Sequence, residues 1–344
     1  MNKYFYFSSL LAAALLSGSV QAQTIPAARP QATSSTTSIA SFTKDFKKQE
    51  GYFNFYYDEK TGKIFLEVAK FDQDFLYFNS LTDGAGRNAE RGQAGTAVAR
   101  FIKVGPKVFL LEPNVSYRAG SGNPDEINTV EGSFAKSVIW GFVPVATEDG
   151  KVLIDLTPFI IRDSQNIAAS LGAPASAMSG ANRAAAPSGT YRVDESRSAV
   201  YLPNTKNFPK NTEFESMLTF TGGAPSGRGT IAPDPNAVTV RMHQSFVELP
   251  DLNFKQRKFD PRSSFFQFSY TDFSAPMTTP LVKRFTVRHR LEKKDPSAKM
   301  SEAVKPIVYY IDRGAPEPIK KALIEGGAFW NEAFEAAGFK NAFQ

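Results

Sequence analysis

From residue 51 onward the chain reads as short aromatic and β-branched runs broken by Gly, Pro, Asn and Asp, a pattern of strands and tight turns. Residues 51–57 and 64–68 flank the polar segment 58–63 and predict a β-hairpin, with residues 75–78 as a third strand. Residues 83–95, rich in Gly, Arg and Asn, read as a loop. Residues 98–104 and 107–112 around the Gly105-Pro106 turn predict a second hairpin. Further strands are expected at residues 137–144, 151–155, 199–202, 213–221 and 237–246. No helical pattern separates them, so the strands form an antiparallel meander or sandwich rather than a parallel sheet. No fixed-period repeat occurs, which argues against a propeller.

Residues 283–291 give the clearest alternation, with Phe285, Val287, His289 and Leu291 on one face and Arg284, Thr286, Arg288 and Arg290 on the other. The pattern then changes. Residues 305–312 read as a strand, residues 313–316 as a loop, and Glu317 opens a helix. Along it Ile319, Leu323, Gly326 or Gly327, Trp330, Phe334 and Ala337 recur at steps of three and four, a stripe that must face a core, and Gly338 supplies a stop. One strand and one helix cannot bury that stripe by themselves. The expected fold is therefore mainly β, an antiparallel meander or sandwich, followed by a truncated α/β strand-helix unit.

The first 43 residues read differently. Lys3, the apolar run of residues 4–16 and the small residues of Val20-Gln21-Ala22 form a signal peptide over 1–22, with cleavage after Ala22. The run is shorter than the roughly 20 residues a bilayer-spanning helix needs. No cysteine follows it, so lipoprotein acylation is closed, and the expected product is exported to the periplasm or outside the cell. Residues 23–43, mostly Pro, Ala, Ser and Thr, read as a disordered linker. The expected domains are then a small hairpin module over 44–82, a β-rich region over 95–300 with a flexible small-residue insertion at 168–188, and the start of a further domain over 305–344.

Composition narrows the chemistry. Among 344 residues there is no cysteine, which excludes disulfides, thiolate metal ligands and thiol nucleophiles, and only two histidines, His243 and His289. Forty Lys and Arg against 34 Asp and Glu give a net charge of +6, spread along the chain, and with export this argues against a nucleic-acid partner. Thirty Phe and twelve Tyr favour pleated, half-buried surfaces.

No catalytic, cofactor-binding or metal-ligating residue emerges. His289 with Glu292 approaches an inverted zinc motif, but Lys293 stands where the second histidine belongs, and the segment reads as strand, not helix. His289 is expected to be satisfied within an apolar face. His243, in another strand, has no partner at ligand spacing and reads as structural or solvent-facing. A third ligand meeting the two histidines in space would have to be a carboxylate, which sequence alone does not locate. The run Gly222-Gly223-Ala224-Pro225-Ser226-Gly227-Arg228-Gly229 lacks the Gly-Lys-Ser/Thr ending of a phosphate cradle and reads as a loop. Paired carboxylates of the glycosidase kind leave no sequence signature. The basic residues of 283–294 beside a Phe-rich segment read as a solvated strand face.

Three segments carry a family resemblance: the Gly51-Tyr52-Phe53 hairpin; Asp260-Pro261-Arg262-Ser263-Ser264-Phe265-Phe266 with Tyr270, Asp272, Phe273 and Ser274; and Leu291-Glu292-Lys293-Lys294-Asp295-Pro296 through residues 305–312 to Trp330-Asn331-Glu332-Ala333-Phe334. Together they resemble the N-terminal part of a family of large secreted bacterial zinc-dependent metallopeptidases with a metzincin-like catalytic domain. The resemblance implies that residues 305–344 are the opening strand and helix of that domain. It also implies a later H-E-x-x-H-x-x-G-x-x-H helix, whose histidines hold zinc and whose glutamate is the general base. That motif is absent from these 344 residues. Zinc is accordingly expected only in a longer protein, and this chain alone is expected to be inactive. The expected partners are the remainder of the catalytic domain and a protein or peptide substrate. The competing reading is a non-enzymatic extracytoplasmic β module that binds glycan or protein through exposed aromatic residues.

Overall fold

Strand-forming stretches this short acquire stability only by pairing, and the sheets follow from which stretches find neighbours. The structure is a computed structural model and describes residues 37–86, 89–172, 190–223 and 232–344. The described residues begin with helix α1 (Ile39–Phe42), capped by the Ser38 hydroxyl, and strands β1 (Lys47–Gln49), β2 (Phe55–Asp58) and β3 (Lys63–Val68). Next come β4 (Phe75–Asp83), β5 (Ala94–Val104), β6 (Lys107–Glu112) and β7 (Tyr117–Arg118). Helix α2 (Pro124–Ser133) leads to β8 (Ser137–Phe142), β9 (Pro144–Glu148) and β10 (Lys151–Asp155). Short helices α3 (Thr157–Ile160) and α4 (Ile167–Gly172) precede β11 (Thr190–Val193), β12 (Ala199–Val200) and β13 (Lys206–Phe208). The long pair β14 (Asn211–Gly223) and β15 (Ala237–Glu248) follows. Last are β16 (Gln267–Asp272), β17 (Val282–Thr286), β18 (Ser301–Glu302), helix α5 (Glu317–Ala336) and β19 (Phe339–Lys340).

Two antiparallel sheets dominate, as the strand pattern predicts. The smaller has five strands in the order β1-β2-β3-β10-β9; the larger has nine, along the path β11-β14-β15-β4-β5-β6-β8, with β12 and β13 also pairing β14. Both expected hairpins form, with Tyr57 opposite Ile64 and Val104 opposite Lys107. At the second turn Gly105 adopts φ +56°, a conformation costly for residues with a Cβ. Among the described residues, parallel pairing is limited to β7 with β16, β18 with β19 and the isolated bridges Phe71–Phe101 and Ile307–Phe343. Strand β4 lies between β15 and β5, so residues 75–83 and the strands after residue 94 share one sheet.

The sheets meet across a cluster in which Phe55, Leu66 and Ile154 of the smaller oppose Phe75, Phe101, Phe214 and Phe246 of the larger. Phe246 lies 5.1 Å from Phe75 and 5.7 Å from Phe214, ring centroid to centroid. The other face of the smaller sheet is also covered, by Ile39, Phe42 and Phe46 against Phe65 and Leu153. Burial on both faces explains the unbroken run Ile64-Phe65-Leu66 in β3. Glu67 in that strand is buried because Tyr56 Oη donates to it at 2.8 Å and Lys151 Nζ lies 3.2 Å away. Period two governs the long pair: Phe214, Leu218, Phe220, Val238, Val240, Met242 and Phe246 line the core face. Toward the far end of that face a second cluster forms, where Leu81, Leu218 and Val240 pack on Ile167 and Leu171 of α4.

Several expectations are corrected. Residues 38–43 of the expected linker are ordered structure, because α1 buries Ile39 against the smaller sheet. The expected insertion at 168–188 begins within α4, whose Leu171 is buried. Residues 1–36, residues 173–189 and the Ala224–Gly229 part of the Gly-rich run lie outside the described residues, while Gly222 and Gly223 end β14. The loop expected over 83–95 is shorter, since β4 runs through Asp83 and β5 starts at Ala94. The strand expected over 283–291 ends at Thr286, opposite Gln267, the first residue of its antiparallel partner β16. Val287 and His289 beyond it are exposed, so alternation without a pairing partner has made neither a strand nor a core face. Residues 305–312 form only an isolated bridge between Ile307 and Phe343, again for want of a neighbouring strand. The helix from Glu317 is present, and it stops where Gly338 takes φ +87°.

Candidate functional site

The solvent-side face of the large sheet carries the first constellation. Antiparallel register sets Glu215 opposite His243 and Glu213 opposite Ser245, so alternation delivers both carboxylates to the imidazole. His243 Nε2 lies 2.6 Å from Glu213 Oε2, and Nδ1 lies 3.4 Å from Glu215 Oε2 without a hydrogen bond of its own. Ser245 Oγ donates to Glu213 Oε2, and Asn211 Nδ2 donates to Glu213 Oε1 at 2.5 Å. Glu215, 1% exposed in its side chain, receives Asn204 Nδ2 at 3.0 Å and lies 3.4 Å from Arg241, which also pairs with Asp83. Burial works against the imidazolium, yet the Glu213 hydrogen bond and the two carboxylate charges outweigh it and raise the His243 pKa above its usual value. Burial likewise opposes the Glu213 charge, but hydrogen bonds from His243, Ser245 and Asn211 hold its pKa below the carboxylate range.

His243, expected to be structural or solvent-facing, takes the structural role, part-buried against Glu213 and Glu215. Its partners lie 28 and 30 residues upstream, and the hairpin register that joins them depends on a long connection. The signal available was Glu213 and Glu215 at spacing two in a strand that faces an Arg-x-His strand. With Nε2 held by Glu213, the group is an ion-pair network. Among the described residues, no group of three or more His, Asp or Glu side chains is placed to hold a metal ion. His289 is exposed on a segment outside both large sheets, so the described residues do not bring the two histidines together at a zinc site.

On the core face, a polar belt separates the two apolar clusters, because Asn79 falls between Tyr77 and Leu81 in β4. Tyr77 Oη donates to Gln244 Oε1 at 2.8 Å, and Gln244 Nε2 donates to the Ile160 carbonyl at 2.9 Å. Burial pushes the Tyr77 hydroxyl up, with Arg162 opposing, so it stays a donor. Arg162 and Gln165, in the turn between α3 and α4, border the belt beside a cleft of about 410 Å³. No motif marked these residues, because polar side chains on a core face interrupt an apolar pattern without imposing a spacing of their own.

The third feature is a surface. After Glu248 the chain exposes Phe265, Phe266, Phe268, Phe273, Tyr309 and Tyr310, and α5 exposes Ile319, Leu323, Ile324, Phe329 and Trp330. The α5 stripe expected from sequence exists and is uncovered: Ile319 is 56% and Trp330 59% exposed, and no α5 residue is buried.

Residues 92–294 match the family model described as Domain of unknown function (DUF5117), and residues 36–84 match Domain of unknown function (DUF5118). The chain belongs to the DUF5117 family. The two matched segments are interleaved, since β4 of the 36–84 segment lies between β5 and β15 of the 92–294 segment. No curated protein and no solved structure matches the chain. Among the described residues, no helix is long and apolar enough to cross a membrane.

Proposed function

We propose that this chain is the accessory region of an exported zinc-dependent metallopeptidase, with the two sheets of the described residues up to Glu248 a scaffold and the surface after Glu248 a seat for the catalytic polypeptide. The observation that carries this reading is the exposed stripe of α5. Apolar surface of that extent marks an interaction site, and in a strand-helix unit the natural cover is the rest of an α/β domain. The extended backbone at residues 307–309 supports it: Ile307 and Tyr309 already hydrogen-bond the carbonyls of Ala342 and Gln344, a sheet begun with short pieces. Among the described residues no group of three or more His, Asp or Glu is placed to hold a metal ion, and the reading assigns zinc and general base to the covering domain.

The test is to express the chain continued through its own reading frame past Gln344, and to assay zinc content and peptide hydrolysis. The expected product carries the H-E-x-x-H-x-x-G-x-x-H motif, binds zinc stoichiometrically and cleaves peptides, whereas the 344-residue chain does neither. A stop codon directly after Gln344, with retention on immobilised glycan, would favour the binding-module reading. Stoichiometric zinc and turnover by the 344-residue chain would overturn the assignment of chemistry to a covering domain.

A further inference from the structure

The cleft on the polar belt holds a guanidinium that the fold leaves largely unused. Arg162 is flanked by aromatic faces, its guanidinium carbon 4.5 Å from the Phe159 ring centroid and 5.8 Å from that of Trp140. Its single hydrogen bond among the described residues runs from Nη2 to Tyr77 Oη at 3.3 Å. Nε is buried with no partner, and no carboxylate lies within ion-pair distance among the described residues. An arginine fork with open donors is matched to a carboxylate, and buried donors are rarely left unpaired unless something else meets the group.

A neighbouring group constrains what accompanies the anion. Gln165 spends its amide nitrogen on Asn79 and on the Gln93 carbonyl, and its Oε1 is buried without a donor. The cleft therefore offers a cation and, beside it, an unmet acceptor. Thr96 and Ala97 of β5 line the same cleft. Residues 94–99 of β5 pair with β4 on one side, while β6 pairs only with residues 100–104, so this stretch is a free sheet edge among the described residues. Free edges accept an extended chain through main-chain hydrogen bonds. The one acid lining the cleft, Glu112, is exposed and makes no ion pair with Arg162 among the described residues.

We propose that this cleft binds the carboxylate end of an extended peptide, with Arg162 receiving the terminal carboxylate, Gln165 Oε1 accepting a peptide N–H, and the β5 edge at residues 94–99 aligning the backbone. The volume of about 410 Å³ lies within the range of small-ligand sites. This assignment rests on the polar belt alone and stands or falls separately from the docking surface around α5.

Isothermal calorimetry on the intact chain tests it with four probes: N-acetylglycylglycine, its C-terminal amide, acetate and inorganic phosphate. The expected result is saturable binding of N-acetylglycylglycine at least tenfold tighter than that of the other three, lost at least tenfold in Arg162→Gln. Should that variant fail to fold, hydrogen exchange on the unaltered chain locates the ligand, with protection expected at residues 94–99 and 162–165. Equal affinity for the amide would overturn the carboxylate, and equal affinity for acetate or phosphate would overturn the peptide. Absence of saturable heat, or protection elsewhere, would overturn the site.

Discussion

Residues 37–248 and residues 250–344 are both rich in aromatic side chains and use them in opposite ways. In the first region Phe55, Phe75, Phe101, Phe159, Phe214 and Phe246 are sealed between sheets, and even buried carboxylates such as Glu67 and Glu215 find partners. In the second, the buried apolar residues are only Ala303, Ile307 and Ala342, while large aromatic side chains lie on the surface. Some of these stack pairwise, as Phe273 does on Phe134 at 5.3 Å and Tyr270 on Phe285 at 5.9 Å, without closing a core. The difference teaches that patterning makes a core only where an opposite layer is present, and among the described residues such a layer covers the first region alone.

Substitutions on the two sides should diverge accordingly. Phe246→Ala opens a cavity in the centre of the aromatic cluster and is expected to lower the unfolding free energy by about 3–5 kcal/mol in denaturant titration. A loss below about 1 kcal/mol would mean that the scaffold core is loose. His243→Gln is expected to cost about 1–3 kcal/mol, the scale of a broken, partly buried charged hydrogen bond. The raised His243 pKa contributes stability that is full below its ordinary 6.5 and fades as pH rises through the folded value. The lowered Glu213 pKa contributes stability that is full above its ordinary 4.5 and fades as pH falls through the folded value. The gap between wild type and variant should therefore peak between about pH 4.5 and 6.5 and narrow on both sides. A gap independent of pH would remove the ion pair from the account.

Within the open region, Gly338→Ala would place a Cβ 2.6 Å from the Lys299 carbonyl oxygen at a positive φ, and a local loss of about 1–3 kcal/mol is expected. Its readout is faster amide exchange over α5. Smallest of all, Trp330→Ala should change the unfolding free energy by less than about 0.5 kcal/mol, as exposed sites do. A loss of several kcal/mol would show that α5 docks on the scaffold.

Features closed by local turns were legible in the sequence. The hairpins β2–β3 and β5–β6 and the span of α5 follow from Gly-containing turns, a three-four apolar step and Gly338. Helix α2 was missed although Asn123, whose side chain accepts from the Asp125 amide, and Pro124 mark its start. The β14–β15–β4 pairing and the His243–Glu213–Glu215 network depend on registers across long connections, which period-two patterning does not encode. The alternation at residues 283–291 misled for the opposite reason: it specifies two faces, while a strand also needs a neighbour, and β16 supplies one only as far as Thr286. The polar belt of Asn79, Gln244, Arg162 and Gln165 gathers residues from three separate segments and became visible only in the folded chain.

Amide hydrogen exchange over Glu317–Ala336 probes the proposed covering layer most directly, measured in the 344-residue chain and in the chain continued through its own reading frame. The account predicts rapid exchange in the former and protection of α5 by at least a hundredfold in the latter. Equal exchange in both, with the zinc motif present downstream, would show that the stripe is not covered by a catalytic polypeptide.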